Sequence, residues 1–198
     1  MPVKTVRPKK SESKPTGKIK SGPALPRGKR SRPPATAAAA ARNREPAGPF
    51  PIVGVGASAG GLEAFTQLLK HLSGETGMAF VLAQHLDPSH RSLLPEILSR
   101  ATKMPVSQVS DRTVMKPNRV YVMPPNVEMV ARGGTLHLLH PREPRGQRMP
   151  IDAFLRSLAE DRKSGAIGVI LSGTASDGVL GLTAIKAEGG ITFAQDEK

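Results

Sequence analysis

Residues 52–61 read Ile-Val-Gly-Val-Gly-Ala-Ser-Ala-Gly-Gly. The run Ile52-Val53-Gly54-Val55 is short, apolar and β-branched, which is the composition of a strand buried on both faces. The glycines that follow permit a sharp turn. Beyond them Leu62, Phe65, Leu68, Leu69 and Leu72 recur at helical spacing, so a helix packs back on the strand and ends near Gly74. Strand, tight turn and returning helix form the unit from which parallel sheets are built.

The same alternation continues along the chain. Residues 79–83 predict a second buried strand, followed by a loop through Pro88, a helix at 93–98 and a strand at 106–109. Residues 120–122, 127–130 and 136–139 read as short strands joined by turns, the last after Gly133-Gly134, so a hairpin excursion is expected there. Pro150 opens a helix whose apolar stripe, Ile151, Phe154, Leu155 and Leu158, runs toward Gly165. Ala166–Leu171 is a fully apolar strand. A helix with Leu180, Ile185 and Ala187 ends at Gly189-Gly190, and Ile191–Ala194 is a last strand. The fold class is therefore α/β: a doubly wound, mostly parallel sheet, Rossmann-like and three-layered, with a β-hairpin excursion.

Charge separates this region from what precedes it. The 198 residues carry a formal net charge of +13. Residues 1–45 hold 13 Lys or Arg against Glu12 and Glu45, whereas the rest of the chain holds 16 against 14. Val3, Val6, Ile19 and Leu25 are the only branched apolar residues of that first stretch, and seven prolines interrupt it. Such a segment cannot bury enough surface to offset ordering entropy, so residues 1–48 are expected to be a disordered basic tail and 49–198 the folded domain. Nucleic acid or an anionic surface would be contacted only through the tail, and a plain solvated extension is the favoured reading. With no cysteine there is no disulfide framework and no thiolate nucleophile. No stretch approaches the about 20 apolar residues of a membrane span, and 37–41 is too short for a signal-peptide core. A cytoplasmic location follows as the default; an organelle transit peptide is the minor alternative.

Chemistry enters at Gly56-Ala57-Ser58-Ala59-Gly60, a G-x-S-x-G between a strand and a helix, where a sharp turn can present a nucleophilic hydroxyl. The helix start supplies backbone N–H groups for an oxyanion. A phosphate-binding turn is the rival reading. Against it, the glycines at 54, 56 and 60 run G-x-G-x-x-x-G, one residue off the dinucleotide pattern, and no P-loop lysine follows. A serine needs a base, and His85 stands where the second strand ends, on the edge that carries Ser58. His90 lies farther into the loop. After the strand Ala166–Leu171 the loop reaches Asp177, which could accept an imidazole N–H and fix its tautomer, or, taken alone, serve as a helix N-cap. An α/β-hydrolase would instead run serine, acid, histidine in chain order. His137 and His140 face opposite sides of a strand, and no histidine-carboxylate cluster has the spacing of a metal site.

Five motifs together, GASAGG at 56–61, AQH at 83–85, VYVMPP at 120–125, PIDAF at 150–154 and LSGTASDG at 171–178, resemble the catalytic domain of the chemotaxis protein-glutamate methylesterases. The resemblance runs in order from Pro49 to Lys198. It implies Ser58 as nucleophile, His85 as general base and Asp177 as its orienter. Ala57, Ala59, Gly60, Gly173 and Thr174 are the implied oxyanion and active-site-loop positions. The implied reaction is hydrolysis of glutamate γ-methyl esters on the cytoplasmic domain of chemoreceptors, with deamidation of receptor glutamines as a second activity and no metal or organic cofactor. A chemotaxis methyltransferase, in cis or in trans, is the further implied partner, since the arrangement looks like the esterase part of esterase-methyltransferase fusions. Ala59 stands where the family often has threonine, and Thr174 where methionine is common. The basic tail replaces the family's receiver domain, and the chain stops where the family continues into another helix and strand, which reads as a C-terminal truncation. The competing class is a non-catalytic signalling module that keeps the fold and binds a partner.

Overall fold

The structure, a computed structural model, describes residues 49–58, 60–85, 93–141, 144, 147–171 and 176–196. The basic stretch 1–48, and with it every expectation about the tail, lies outside them.

The strands β1 (Ile52–Ala57), β2 (Ala79–Gln84), β3 (Val106–Gln108), β5 (Arg119–Val122), β8 (Ala166–Leu171) and β9 (Ile191–Ala194) form one sheet in the order β3-β5-β2-β1-β8-β9. Every pairing in it is parallel. Both faces are covered by helices, as a parallel sheet requires. On one face α1 (Gly61–Lys70) and α2 (Leu94–Ser99) bury Phe65, Leu69, Leu94 and Leu98 against Val53, Val55, Phe80 and Leu82. On the other, α3 (Pro150–Arg162) and α4 (Val179–Ala187) bury Phe154, Leu155, Leu158 and Ile185 against Ile52, Ala79 and Val81. Burying side chains of this size stabilises the fold by roughly 1.5–3 kcal/mol each. Among the described residues no helix is long and apolar enough to cross a membrane.

The period of β1 explains its two inner glycines. Val53, Val55 and Ala57 point to α1, so Gly54 and Gly56 point to α3. A Cβ on Gly54 would stand 2.6 Å from Leu155 Cδ2, and one on Gly56 would strike the Ile151 side chain. These glycines let α3 lie directly on the central strand. They serve helix packing, which accounts for the glycine spacing without a bound phosphate.

The middle of the chain corrects one expectation. Residues 120–122 belong to β5, a parallel member of the main sheet between β3 and β2, and not to the hairpin excursion. The three consecutive buried residues Val120, Tyr121 and Val122 show why, because both faces of that strand are covered. The excursion is a separate antiparallel sheet in the order β4-β7-β6, made of β4 (Thr113–Val114), β6 (Glu128–Arg132) and β7 (Thr135–Leu139). The C-terminal half of α3 ties it down: Ala131 N–H donates to Ser157 Oγ at 2.9 Å, and Gly134 N–H donates to Asp161 Oδ2 at 3.2 Å. The helix itself stops at Arg162, and a 3-10 turn, Lys163–Gly165, completes the approach to β8.

Candidate active site

Register brings the candidate residues together. Ala57 pairs with Gln84 on β2 and with Leu171 on β8, so three neighbouring parallel strands end on the same row. Ser58 and His85 are the next residues beyond that row. The loop that leads to Asp177 leaves from it as well.

Ser58 is held through its main chain. Its carbonyl accepts the Gly61 N–H at 2.9 Å, closing the turn into α1, and accepts the Gln84 Nε2–H at 3.3 Å. The Ser58 hydroxyl makes no hydrogen bond among the described residues. α1 begins without a side-chain cap, and Gly60 at its start is exposed. Gln84 is 7% exposed, and its buried Oε1 has no hydrogen-bond partner among the described residues. Its bond to the serine loop was not legible from the sequence, where it is only the residue before His85.

The His85 imidazole and the Asp177 carboxylate meet at 2.7 Å, from Nε2 to Oδ2. Their surroundings differ: the His85 side chain is 46% exposed and that of Asp177 3%. One end of the pair faces solvent and the other is dry. A buried carboxylate is costly unless hydrogen-bonded. Among the described residues Asp177 accepts three donors, since besides His85 it takes the Ile151 N–H on Oδ2 at 3.1 Å and the Asp152 N–H on Oδ1 at 2.8 Å. Those are the second and third residues of α3, whose preceding residue, Met149, offers no side-chain cap. Asp177 is thus a helix cap after all, but for α3, which starts far away in sequence, and not for α4, which it immediately precedes.

The arrangement fixes a tautomer. A carboxylate that accepts from Nε2 pairs with the imidazole tautomer whose proton is on Nε2, which leaves a lone pair on Nδ1. Gly178 makes the geometry feasible. It turns the chain at φ +107, and a Cβ there would stand 2.5 Å from Ile170 Cδ1.

Of the other positions read from the sequence, Ala57 ends β1 and is buried, and Gly60 precedes α1. Ala59, Gly173 and Thr174 lie outside the described residues, as does His90. His71 closes the other end of α1, its Nδ1 against the Gln67 carbonyl at 2.8 Å, and His137 lies on β7. Among the described residues no three His, Cys, Asp or Glu side chains group as metal ligands would.

A doubly wound parallel sheet, with a serine at the turn after β1 and a histidine-aspartate pair on the same edge, defines the chain as an α/β protein with its candidate site at the carboxyl ends of the strands. The chain belongs to the CheB methylesterase family, whose model matches residues 53–198. It is 37% identical over 160 residues to protein-glutamate methylesterase/protein-glutamine glutaminase 2 of Burkholderia lata, covering 77% of this chain and 47% of that protein. To the protein-glutamate methylesterase FrzG of Myxococcus xanthus it is 35% identical, over 80% of this chain and 48% of that one. Among solved structures the catalytic domain of the Thermotoga maritima CheB methylesterase is similar, with a TM-score of 0.68 and 27% identity, covering 76% of this chain and 82% of that domain. The chain spans about half the length of the curated relatives it matches.

Proposed function

We propose that the chain hydrolyses glutamate γ-methyl esters on the cytoplasmic domain of chemoreceptors, with Ser58 as nucleophile, His85 as base and Asp177 as its orienter. The observation that carries this reading is the 2.7 Å contact between His85 Nε2 and the buried Asp177 carboxylate, one strand away from Ser58. The names of the relatives support the substrate class, and glutamine deamidation is the second reaction those names supply.

The reading implies the following steps. His85 Nδ1 takes the Ser58 proton as Oγ attacks the ester carbonyl carbon. Asp177 stabilises the imidazolium without accepting its proton. The charge that develops on the carbonyl oxygen meets backbone N–H groups at the start of α1, beside Gly60, where no side chain caps the helix. When the tetrahedral intermediate collapses, the C–O bond to the methoxy group breaks, and methanol leaves with the proton from Nδ1. Water, deprotonated by the same nitrogen, then attacks the acyl-serine and releases the glutamate carboxylate and Ser58. The net change is ester plus water to carboxylate, methanol and one proton. None of these steps routes through a metal or an organic cofactor.

Incubating the chain with a receptor whose esters carry labelled methyl groups should release labelled methanol. A folded protein that binds the receptor and releases none would favour the binding-module reading.

A further inference from the structure

We propose that Asp152 is a positioning residue for the His85–Asp177 pair, acting through a reciprocal lock between the starts of α3 and α4. The proposal rests on the catalytic reading above and adds a residue that the mechanism does not use.

Asp152 is buried, with 6% of its surface exposed. Its Oδ1 accepts the Gly181 N–H at 2.7 Å, while its own N–H donates to Asp177 Oδ1 at 2.8 Å. Gly181 is the third residue of α4, and Gly178, before that helix, has no side chain to cap it. Each helix therefore receives its capping carboxylate from the other. Asp177, just ahead of α4, caps α3; Asp152, in the first turn of α3, caps α4. Asp177 Oδ1, the Asp152 N–H, the Asp152 side chain, the Gly181 N–H and the chain from 178 to 181 close one ring.

The ring governs the direction of the catalytic carboxylate. With Oδ1 held by the Asp152 N–H, the plane of the group is fixed and Oδ2 is turned to Ile151 N–H and His85. The α4 side is equally confined, since a Cβ on Gly181 would lie 2.5 Å from Leu155 Cβ. Removing the Asp152 carboxylate leaves the Gly181 N–H buried without its acceptor. The turn from 177 to 181 then relaxes toward other partners and takes Asp177 with it. Displacements of about 1 Å in a catalytic constellation cost on the order of 10²-fold in rate.

The test compares Asp152→Ala and Asp152→Asn in methanol release from methylated receptor. Asp152→Ala should lower kcat by about 10²-fold with KM nearly unchanged, because no substrate contact is lost. Asp152→Asn keeps an acceptor oxygen for Gly181 N–H and should restore kcat to within about 10-fold of the original. In an Asp177→Ala background, Asp152→Ala should cause no further fall in kcat, because the residue acts through Asp177. Should Asp152→Ala fail to fold, Asp152→Glu, which retains the charge but misplaces the oxygen, takes its place with the same expected loss. A readout independent of turnover is the proton resonance of His85 Nε2–H, expected to be lost in Asp152→Ala and kept in Asp152→Asn. Undiminished kcat with an unmoved resonance, or an equal loss in both backgrounds, would overturn the proposal. An inactive parent protein whose Nε2–H resonance responds as expected would count against the esterase reading and leave the positioning role standing.

Discussion

Helices α1 and α3 both begin at the carboxyl edge of the sheet, and neither has a side-chain cap of its own. Their ends are nonetheless treated in opposite ways. The start of α3 is filled by the Asp177 carboxylate, which takes two of its N–H groups. The start of α1, beside Ser58, is left open, with Gly60 exposed. A helix N-terminus favours negative charge in either case. Filled by a carboxylate, it fixes the group that faces His85; left open, it could, on the proposed mechanism, receive charge that exists only during reaction.

The largest expected effect comes from disturbing the filled end. Asparagine at position 177 can accept one N–H, but its amide would oppose a donor at one of the other contacts and would favour the imidazole tautomer with its proton on Nδ1. Asp177→Asn should therefore reduce turnover by on the order of 10⁴, as the same change does in the triad of a serine protease, or roughly 5 kcal/mol of barrier. The accompanying loss of stability in urea denaturation should be only about 1 kcal/mol, that of one weakened cap. A folded variant with most of its turnover would break the contrast between the two helix starts.

The open end can be filled deliberately. Gly60 has φ -79 and ψ -17, a conformation any residue adopts. Gly60→Asp should stabilise the fold by about 0.3–1 kcal/mol through the helix dipole. It should also lower turnover by about 10-fold, because a fixed carboxylate repels the developing oxyanion. Unchanged turnover with raised stability would mean that the charge develops elsewhere.

Between the two ends stands the contact of α3 with α4. Gly181→Ala forces a methyl group against Leu155, and the expected destabilisation is about 1–3 kcal/mol, read as a lower thermal midpoint. A midpoint equal to that of the original would show that the helices separate without cost and that the lock is loose.

The smallest effect lies away from both helix starts, at Tyr121 on β5. Burial raises its phenol above the ordinary 10.0, opposed by the Lys116 N–H bond to its oxygen and by the charge of Arg119. The folded state thus holds this proton more tightly than the unfolded chain. The stability it contributes is complete below 10.0 and is lost as pH rises through the raised value. Tyr121→Phe should remove that alkaline slope, at a cost of about 1 kcal/mol for the lost hydrogen bond. As the only tyrosine, it can be followed by its own absorbance.

How much of this was legible follows from how local each signal is. β1, α1, β2 and β8 are continuous apolar runs or one-faced stripes, so their type and order could be read directly. Once they were parallel, Ser58 and His85 had to share an edge. The place of β5 was harder, because neighbours in a sheet are set by the crossover and not by the strand itself. Its three consecutive buried residues were still a clue, against the alternating burial of Glu128–Arg132 in β6. β4, two residues long, has no period to detect. Least legible was the exchange of caps. Asp177 has the look of a cap for the helix that follows it, and nothing local says that it caps α3. The one available hint was Pro150 opening a helix after Met149, a residue with no capping side chain.

Activation of Ser58 by His85 is tested most directly by trapping the serine with a phosphonate ester that reacts only with an activated hydroxyl. Peptide mass spectrometry should then locate the adduct on Ser58, and His85→Ala should abolish its formation while the protein stays folded. An adduct on another residue, or one that forms equally well in Ser58→Ala or His85→Ala, would contradict that activation.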